Sequence, residues 1–446
     1  MVIHRKRGIQ NITAADRRTI HPPYARSMAS SQRCERVQTT RVNSVLAIML
    51  IKSILLFCAL FKCVSLQLVP NQVQQPMQIK IGMLIPKDNP TLAPKMGYRR
   101  SAAAVVLAID RIKREQILPA DTNFTIVWRY EECLDETAAG LSFELFVQEN
   151  VDILIASPCN EPAMITSTIA AFYDRPVFLW GATTSGEFAN MIRFPTIATV
   201  VPNTFDMALT ICTMMQTFKW KSFAVVYSST TNAKGEKCGY LQRDIESATD
   251  IIFGCSISYK RKVVDWHEDR VNETLKQIKK QARIVLLCFD QIRELRRFLL
   301  SLHDHGMYTD EYAYILPDVS ANPSDRLNFY KDLSLNPDNR DNDAYKVARR
   351  ALLLDSSLIA EHTFKNFSEQ LLSRMDEWPF YCKADCRKEV NASTHAALLH
   401  DTTILYGLTL NHTLATNRSM YRNGTQVALN AAGIQFEGIL PPKHLA

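Results

Sequence analysis

From Ile79 onward, short apolar runs rich in β-branched residues alternate with stretches of helical period. IKIGMLI (79–85) precedes a helix predicted over residues 96–116, where Ala102, Val105, Val106, Ile109 and Ile112 recur at i, i+3, i+4, i+7 and i+10. NFTIVWRY, a helix near 135–149, DILIAS, a helix from about 161 to 173, and RPVFLW continue the alternation. Nearly continuous apolar runs mark strands covered on both faces, as in a parallel sheet. The pattern restarts after Pro202 with an amphipathic helix (Phe205, Ala208, Leu209, Cys212, Met215). It runs on through SFAVVYS, a helix, IIFGCSISY, a helix near 269–280, RIVLLCF, a helix (Ile292, Leu295, Leu299, Leu302) and YAYIL. The economical reading is α/β with two doubly wound, Rossmann-like lobes: lobe 1 at 77–202, lobe 2 at 203–345, and a part shared by the lobes at 346–438. Between about 322 and 343 the chain turns polar and rich in Asn, Asp and Pro, which fits a loop or crossover.

The most hydrophobic stretch, residues 45–67, is divided by Lys52 and Lys62 and is short for a membrane span. Read from Met49 it has a Lys-bearing start, a compact apolar centre and small residues at Cys63 and Ser65. That is the pattern of a secretory signal (45–65) with cleavage expected before Leu66; a signal anchor is the alternative. Residues 1–44 are then a basic leader outside the fold. They also account for the net charge of +7, since they hold nine Arg/Lys against two acids and the remaining chain balances at zero. A nucleic-acid partner is excluded on that ground.

Three of the eleven cysteines lie in the first 63 residues, leaving an even set of eight, as suits an oxidising compartment. Seven N-x-S/T sites follow residue 66, at Asn123, Asn272, Asn366, Asn391, Asn411, Asn417 and Asn423, where chance predicts about two or three. The body is therefore expected outside the cell, secreted or on the outer face of the plasma membrane.

Enzyme signatures are scarce. There is no G-x-G-x-x-G, and Gly181–Gly186 is followed by Glu187 and Phe188 where a phosphate loop needs Lys and Ser/Thr. His303-Asp304-His305 cannot aim three side chains at one metal from a regular helix, and H-E-x-x-H and G-x-S-x-G are missing. No cofactor and no metal is expected.

Three pieces together carry a family resemblance: Cys133 and Cys159 each just after a lobe 1 strand, FKWKSFAVVY (218–227) opening lobe 2, and His400-Asp401 with Tyr406 in LLHDTTILYGLTLN. With NGTQVALNAAGIQFEG they resemble the ligand-binding ectodomain of receptor guanylate cyclases, nearest the nematode sensory branch and related to natriuretic peptide receptors. The resemblance covers roughly residues 79–438. It implies a type I periplasmic-binding-protein fold with crossover strands, a peptide or small-molecule ligand, and a homodimer through lobe 1. A membrane helix, a kinase-like domain and a cyclase would follow in a complete receptor. FEG (436–438) resembles the start of the family's last hairpin, so the chain reads as truncated before the membrane helix. The family's chloride site uses backbone N–H groups beside the first disulfide; Pro158 precedes Cys159 and has none, so that site is not carried over. An amino-acid-binding ectodomain of a class C or glutamate-like receptor and a secreted binding protein without signalling are the alternatives.

Ligands in such folds meet the carboxyl ends of strands where lobes face. The expected ligand-binding residues are Ser157, Asn160, Glu161, Thr183, Thr184, Ser185, Ser228, Ser229 and Asp318, although the run 182–185 suits a helix cap equally well. Cys133 pairs with Cys159, since both emerge at the carboxyl edge of one sheet. Cys238 pairs with Cys288, the same arrangement in lobe 2 with a separation resembling that of the family's second bridge. Cys382 and Cys386 form a local clip, and Cys212 meets Cys255 by elimination.

Overall fold

The computed structural model describes residues 76–228, 237–317, 328–354 and 361–440. The leader, the signal segment, Ser229 and Asp318 lie outside the described residues. Lobe 1 is built on β1 (Gln78–Ile85), β2 (Asn123–Tyr130), β3 (Ile153–Ile155), β4 (Val177–Leu179) and β5 (Ile197–Thr199), in the order β2-β1-β3-β4-β5. Lobe 2 uses β6 (Ser222–Ser228), β7 (Ser256–Lys262), β8 (Ile284–Phe289), β9 (Ala313–Pro317) and β10 (Ala351–Leu354), in the order β10-β9-β8-β6-β7. All pairings are parallel, and counted within each lobe both sheets run 2-1-3-4-5. This is a doubly wound order whose strand direction of travel reverses between first and third strands, at β1/β3 and β6/β8.

Helices cover both faces. In lobe 1, α1 (Ala103–Arg114) shares one face with the long α10 (His395–Thr416), while α2 (Asp135–Phe143), continued by a π turn at Glu144–Gln148, and α3 (Asn160–Tyr173) cover the other. In lobe 2, α4 (Thr204–Thr217) and α5 (Lys237–Ile251) lie on one face; α6 (Glu268–Gln281), α7 (Ile292–Asp304) and α8 (Asp341–Ala348) lie on the other. The α7 stripe Leu295, Leu299 and Leu302 is buried as its period requires, which contributes about 2 kcal/mol per side chain. Lobe 1 gains a third group of helices, α9 (Glu361–Arg374), α10 and α11 (Gly424–Ala431). Helix α10 is buried on most of its sides, several Thr and the His400–Asp401 pair included, because sheet and α1 enclose it: Tyr406 packs edge-on against Phe178 at 5.4 Å, and Thr402 donates to the Leu179 carbonyl at 2.9 Å. At Gly407 a Cβ would stand 2.5 Å from Ile112 Cδ1, so the missing side chain sets the α1–α10 approach.

Several sequence expectations shift. The helix expected over 96–116 is divided into Ala93–Met96, Tyr98–Ser101 and α1, with extended backbone at Gly97. IIFGCSISY is not one strand. Helix α5 runs through Ile251, a turn holds Cys255, and β7 begins at Ser256; β7 is a half-exposed edge strand, so its polar sequence lacks the apolar signal. Strands β5 and β10, three and four residues long, were not expected. The expected lobe 2 limit at 345 falls inside α8, and β10 pairs with β9, so residues 346–354 belong to lobe 2 whereas 361–440 pack on lobe 1.

Four disulfides are formed among the described residues. Cys133–Cys159, Cys212–Cys255, Cys238–Cys288 and Cys382–Cys386 have Cα separations of 5.8, 5.5, 5.4 and 5.6 Å. These are the pairs expected from the sequence.

Candidate functional site between the lobes

The carboxyl ends of the lobe 1 strands are organised by two successive carboxylates. Glu132 accepts from the backbone N–H groups of Lys87, Asp88 and Asn89 at 2.8, 3.0 and 3.0 Å, which fixes the loop after β1. Glu131 is fully buried and accepts from the Leu134 N–H and the Ser157 hydroxyl. Ser157, which donates to Glu131, lies 3.9 Å from the Cys133 sulfur, so this carboxyl sits close to the Cys133–Cys159 bridge, at the β1/β3 switch point. Cys133 has φ of 58°, a left-handed turn that swings its side chain toward β3.

Cys159 occupies the cap position of α3, and Asn160 opens the helix. The Asn160 side-chain oxygen accepts from the Ser185 N–H at 3.0 Å, tying the ends of β3 and β4 together. Thr183 donates to the Trp180 carbonyl at 2.9 Å, and the Ser185 hydroxyl accepts from the Glu187 N–H at 3.2 Å, capping a 3₁₀ turn at Gly186–Ala189. Gly181 makes this crowding feasible: its φ is +73°, and a Cβ would stand 2.4 Å from Pro158 Cβ.

Lobe 2 closes on this cluster through α5. The Tyr240 hydroxyl donates to Glu161 in the first turn of α3, and Arg243 lies 3.8 Å from Glu187 and 4.5 Å over the Tyr240 ring. Asp244 accepts from the Gly186 N–H at 3.3 Å and from the Thr204 hydroxyl, while the Thr204 N–H donates to the Thr184 carbonyl at 2.6 Å. Burial pushes the Asp244 carboxyl above the usual aspartate range, against the pull of its bonds to Thr204 and Gly186.

Of the expected ligand residues, Ser157, Asn160, Glu161, Thr183, Thr184 and Ser185 come together at this junction. Ser228 sits apart in lobe 2, bonded to Glu294 at 2.5 Å. Most are engaged as caps and turn bonds. Two atoms differ: the Asn160 side-chain N–H₂ and the Thr184 hydroxyl are buried with no hydrogen-bond partner among the described residues. Such groups call for water or a ligand. Tyr240 and Asp244 escaped sequence reasoning because they lie inside an ordinary amphipathic helix; only their placement on the helix turn nearest lobe 1 distinguishes them.

The arrangement offers donors, acceptors and a lobe-to-lobe seam, a geometry for holding a molecule. Among the described residues no group of three His, Cys, Asp or Glu side chains is placed to hold a metal. His303 instead lies against Asp304 and Asp343 and stacks on Tyr308.

Two parallel-sheet lobes joined in this way have the periplasmic-binding-protein-like architecture, and the chain belongs to the receptor family ligand binding region, which it matches over residues 100–440. It is similar to receptor-type guanylate cyclases of Caenorhabditis elegans. Identity to gcy-14 is 33% over 386 residues, covering 81% of this chain and 34% of the relative. To gcy-13 it is 30% over 359 residues, 78% and 34%; to gcy-20, 30% over 416 residues, 88% and 35%. The chain thus spans about a third of the length of these curated relatives and aligns with their ligand-binding region, not their cyclase.

Proposed function

We propose that this chain is the extracellular sensing region of a receptor guanylate cyclase. It takes a peptide or small molecule and passes the signal to a cyclase domain. The observation that carries the reading is the family match across both lobes, together with the seam at the strand carboxyl ends where Asn160 and Thr184 present unpaired polar atoms. Binding that bridges Asn160, Thr184 and the Tyr240–Asp244 face of α5 would change how firmly the lobes hold each other. A homodimer through lobe 1 and a place on the outer face of the plasma membrane belong to the same proposal.

The sequons fit this setting unevenly. Asn123, Asn366, Asn391, Asn411 and Asn417 are exposed and Asn272 is half-buried, all open to glycan attachment. Asn423 is different, because its side-chain nitrogen donates to Asp174 and its oxygen caps α11 by accepting from the Gln426 N–H at 2.7 Å. A glycan there would displace the Asp174 bond, so we assign glycosylation to the other six.

The transcript beyond codon 446 tests the proposal: a membrane helix followed by kinase-like and cyclase sequence is expected. The purified chain given GTP is expected to form no cyclic GMP. A transcript that stops after this codon in every tissue would instead favour a secreted binding protein without signalling.

A further inference from the structure

In a parallel sheet every strand starts at one end and every following helix starts at the other. The start of α5 touches lobe 1 through Tyr240 and Asp244, so the carboxyl ends of the lobe 2 strands face that lobe. The amino ends of β6 to β10 and the carboxyl ends of α4 to α8 therefore form the pole of lobe 2 turned away from lobe 1.

That pole carries an aromatic patch. Phe218 is 53% exposed, Ile251 67% and Phe253 96%, and Phe218 stacks on half-buried Trp220 at 4.8 Å. The two loops that bear them form one surface. Gln216 Nε2 donates to the Phe253 carbonyl at 2.8 Å, the Ser256 N–H to the Lys221 carbonyl at 3.2 Å, and the Cys212–Cys255 bridge lies beneath. The loops that bear the rings are thus joined on one cross-linked base.

Lys219 and Lys221 flank Trp220 and are exposed. The same pole presents exposed Lys279, Lys280, Arg283 and Arg349 against Asp250 and Glu311, with Asp310 paired to Arg350. Exposed aromatic side chains flanked by Lys219 and Lys221, on a pole that carries further Lys and Arg, are suited to the boundary between phosphate headgroups and acyl chains. The rings enter the boundary and the ammonium groups meet phosphate. A protein partner matched to this surface would need an acidic rim around an apolar centre; a phospholipid bilayer supplies both layers without further specificity.

We propose that the far pole of lobe 2 docks on the phospholipid headgroup region of a membrane, with Phe218, Trp220 and Phe253 inserted and Lys219 and Lys221 on phosphates. Docking orients the seam between the lobes away from the bilayer. The inference does not depend on a cyclase, and its failure would leave the receptor reading intact.

The test uses the full chain secreted from insect cells, its amino terminus read by mass spectrometry so that material retaining the apolar segment 45–67 is set aside. Flotation with phosphatidylcholine vesicles, with and without phosphatidylserine, measures partition; lipids brominated in the acyl chain report tryptophan insertion by quenching. Wild type is expected to float and to be quenched, with quenching lost in Trp220→Phe. Phe218→Ser with Phe253→Ser is expected to weaken partition about tenfold or more, with the thermal midpoint unchanged, since both rings are exposed. Lys219→Glu with Lys221→Glu, which leaves the apolar packing intact, is expected to weaken partition most on vesicles holding phosphatidylserine. A wild type that does not float, or flotation indifferent to both double variants, overturns the proposal. So does a wild-type self-association that the Phe double variant dissolves while vesicles have no effect, because a second copy of the chain would then cover the patch.

Discussion

The two lobes share a strand order and differ in how they are secured. Lobe 1 has the extra helices α9 to α11 packed over the α1 side of its sheet, and its larger core draws residues from both ends of the chain, from Ile79 to Leu440. The Cys133–Cys159 bridge and the carboxyl groups of buried Glu131 and half-buried Glu132 finish its cleft edge, and a second bridge, Cys382–Cys386, lies between α9 and α10. Lobe 2 has no such added layer among the described residues. It carries two bridges, one at its cleft edge and one at its far pole, and a polar loop pinned by a single arginine. The contrast teaches that the same βα framework can be secured by an added apolar layer over bridges of short span, 26 and 4 residues apart, or without that layer by bridges of long span, 43 and 50 apart, and ion pairs. The second solution is sensitive to redox state and to acid.

The largest expected effect follows from that contrast. Replacing Cys238 and Cys288 together by serine opens a loop with a sequence separation of 50, worth about 4 kcal/mol in the chain-entropy model. Removing Cys382 and Cys386, four apart in the better-covered lobe, is worth about 2 kcal/mol. Thermal unfolding of the two double variants should rank them in that order, with lobe 2 amides losing hydrogen-exchange protection first in the former. Equal effects, or a larger one for the local clip, would break the comparison.

A smaller loss is expected at Arg296 on α7. This nearly buried guanidinium bonds Asp338 at 2.6 Å through both terminal nitrogens, Asp341 at 2.8 Å and the Tyr330 carbonyl at 2.9 Å. Arg296→Met should cost about 2 kcal/mol, less than a fully buried pair because both aspartates face solvent. The Arg296 bond brings the Asp338 carboxyl down from 3.8 to about 2. A depressed carboxyl stabilises the fold above its unfolded pKa, and that contribution disappears as pH falls through the folded value. Wild type should therefore lose stability between about pH 4 and pH 2 through this group, and Arg296→Met should lose less over the same window.

The smallest effect concerns the seam itself. Asp244 is raised by burial, so its charged form costs stability, and that cost is relieved as pH falls through the raised value. Asp244→Asn keeps an acceptor for the Gly186 N–H and the Thr204 hydroxyl. It should change stability by less than about 1 kcal/mol and flatten the pH dependence of exchange at the Gly186 amide. A variant whose Gly186 amide keeps the wild-type pH profile would show that the lobes are held elsewhere.

The framework was legible where strands were long and carried an apolar signal. SFAVVYS matches β6 residue for residue, because a strand covered on both faces is apolar nearly throughout, and NFTIVWRY matches β2, a long edge strand that buries Phe124 and Ile126 between exposed Asn123 and Thr125. It was illegible where pairing came without an apolar signal. Strand β5 is three residues beside Pro195, and β10 is a half-exposed edge whose run ALLL reads as easily as helix. For the seam, the strand-end rule found the lobe 1 half, since the residues following β3 and β4 must converge. The lobe 2 half was invisible: which turn of α5 meets Glu161 and Gly186 depends on how the lobes are set against one another, and no local pattern encodes that.

The bridges also tell the lobes apart. Two units of identical strand order suggest descent from one duplicated ancestor, and such an origin predicts cross-links at equivalent places. They are not equivalent. Lobe 1 joins the loop after its second strand to the helix cap after its third, whereas lobe 2 joins the helix after its first strand to its third, and the helix before its first to the entrance of its second. On a duplication history, none of these three bridges is shared by the two halves.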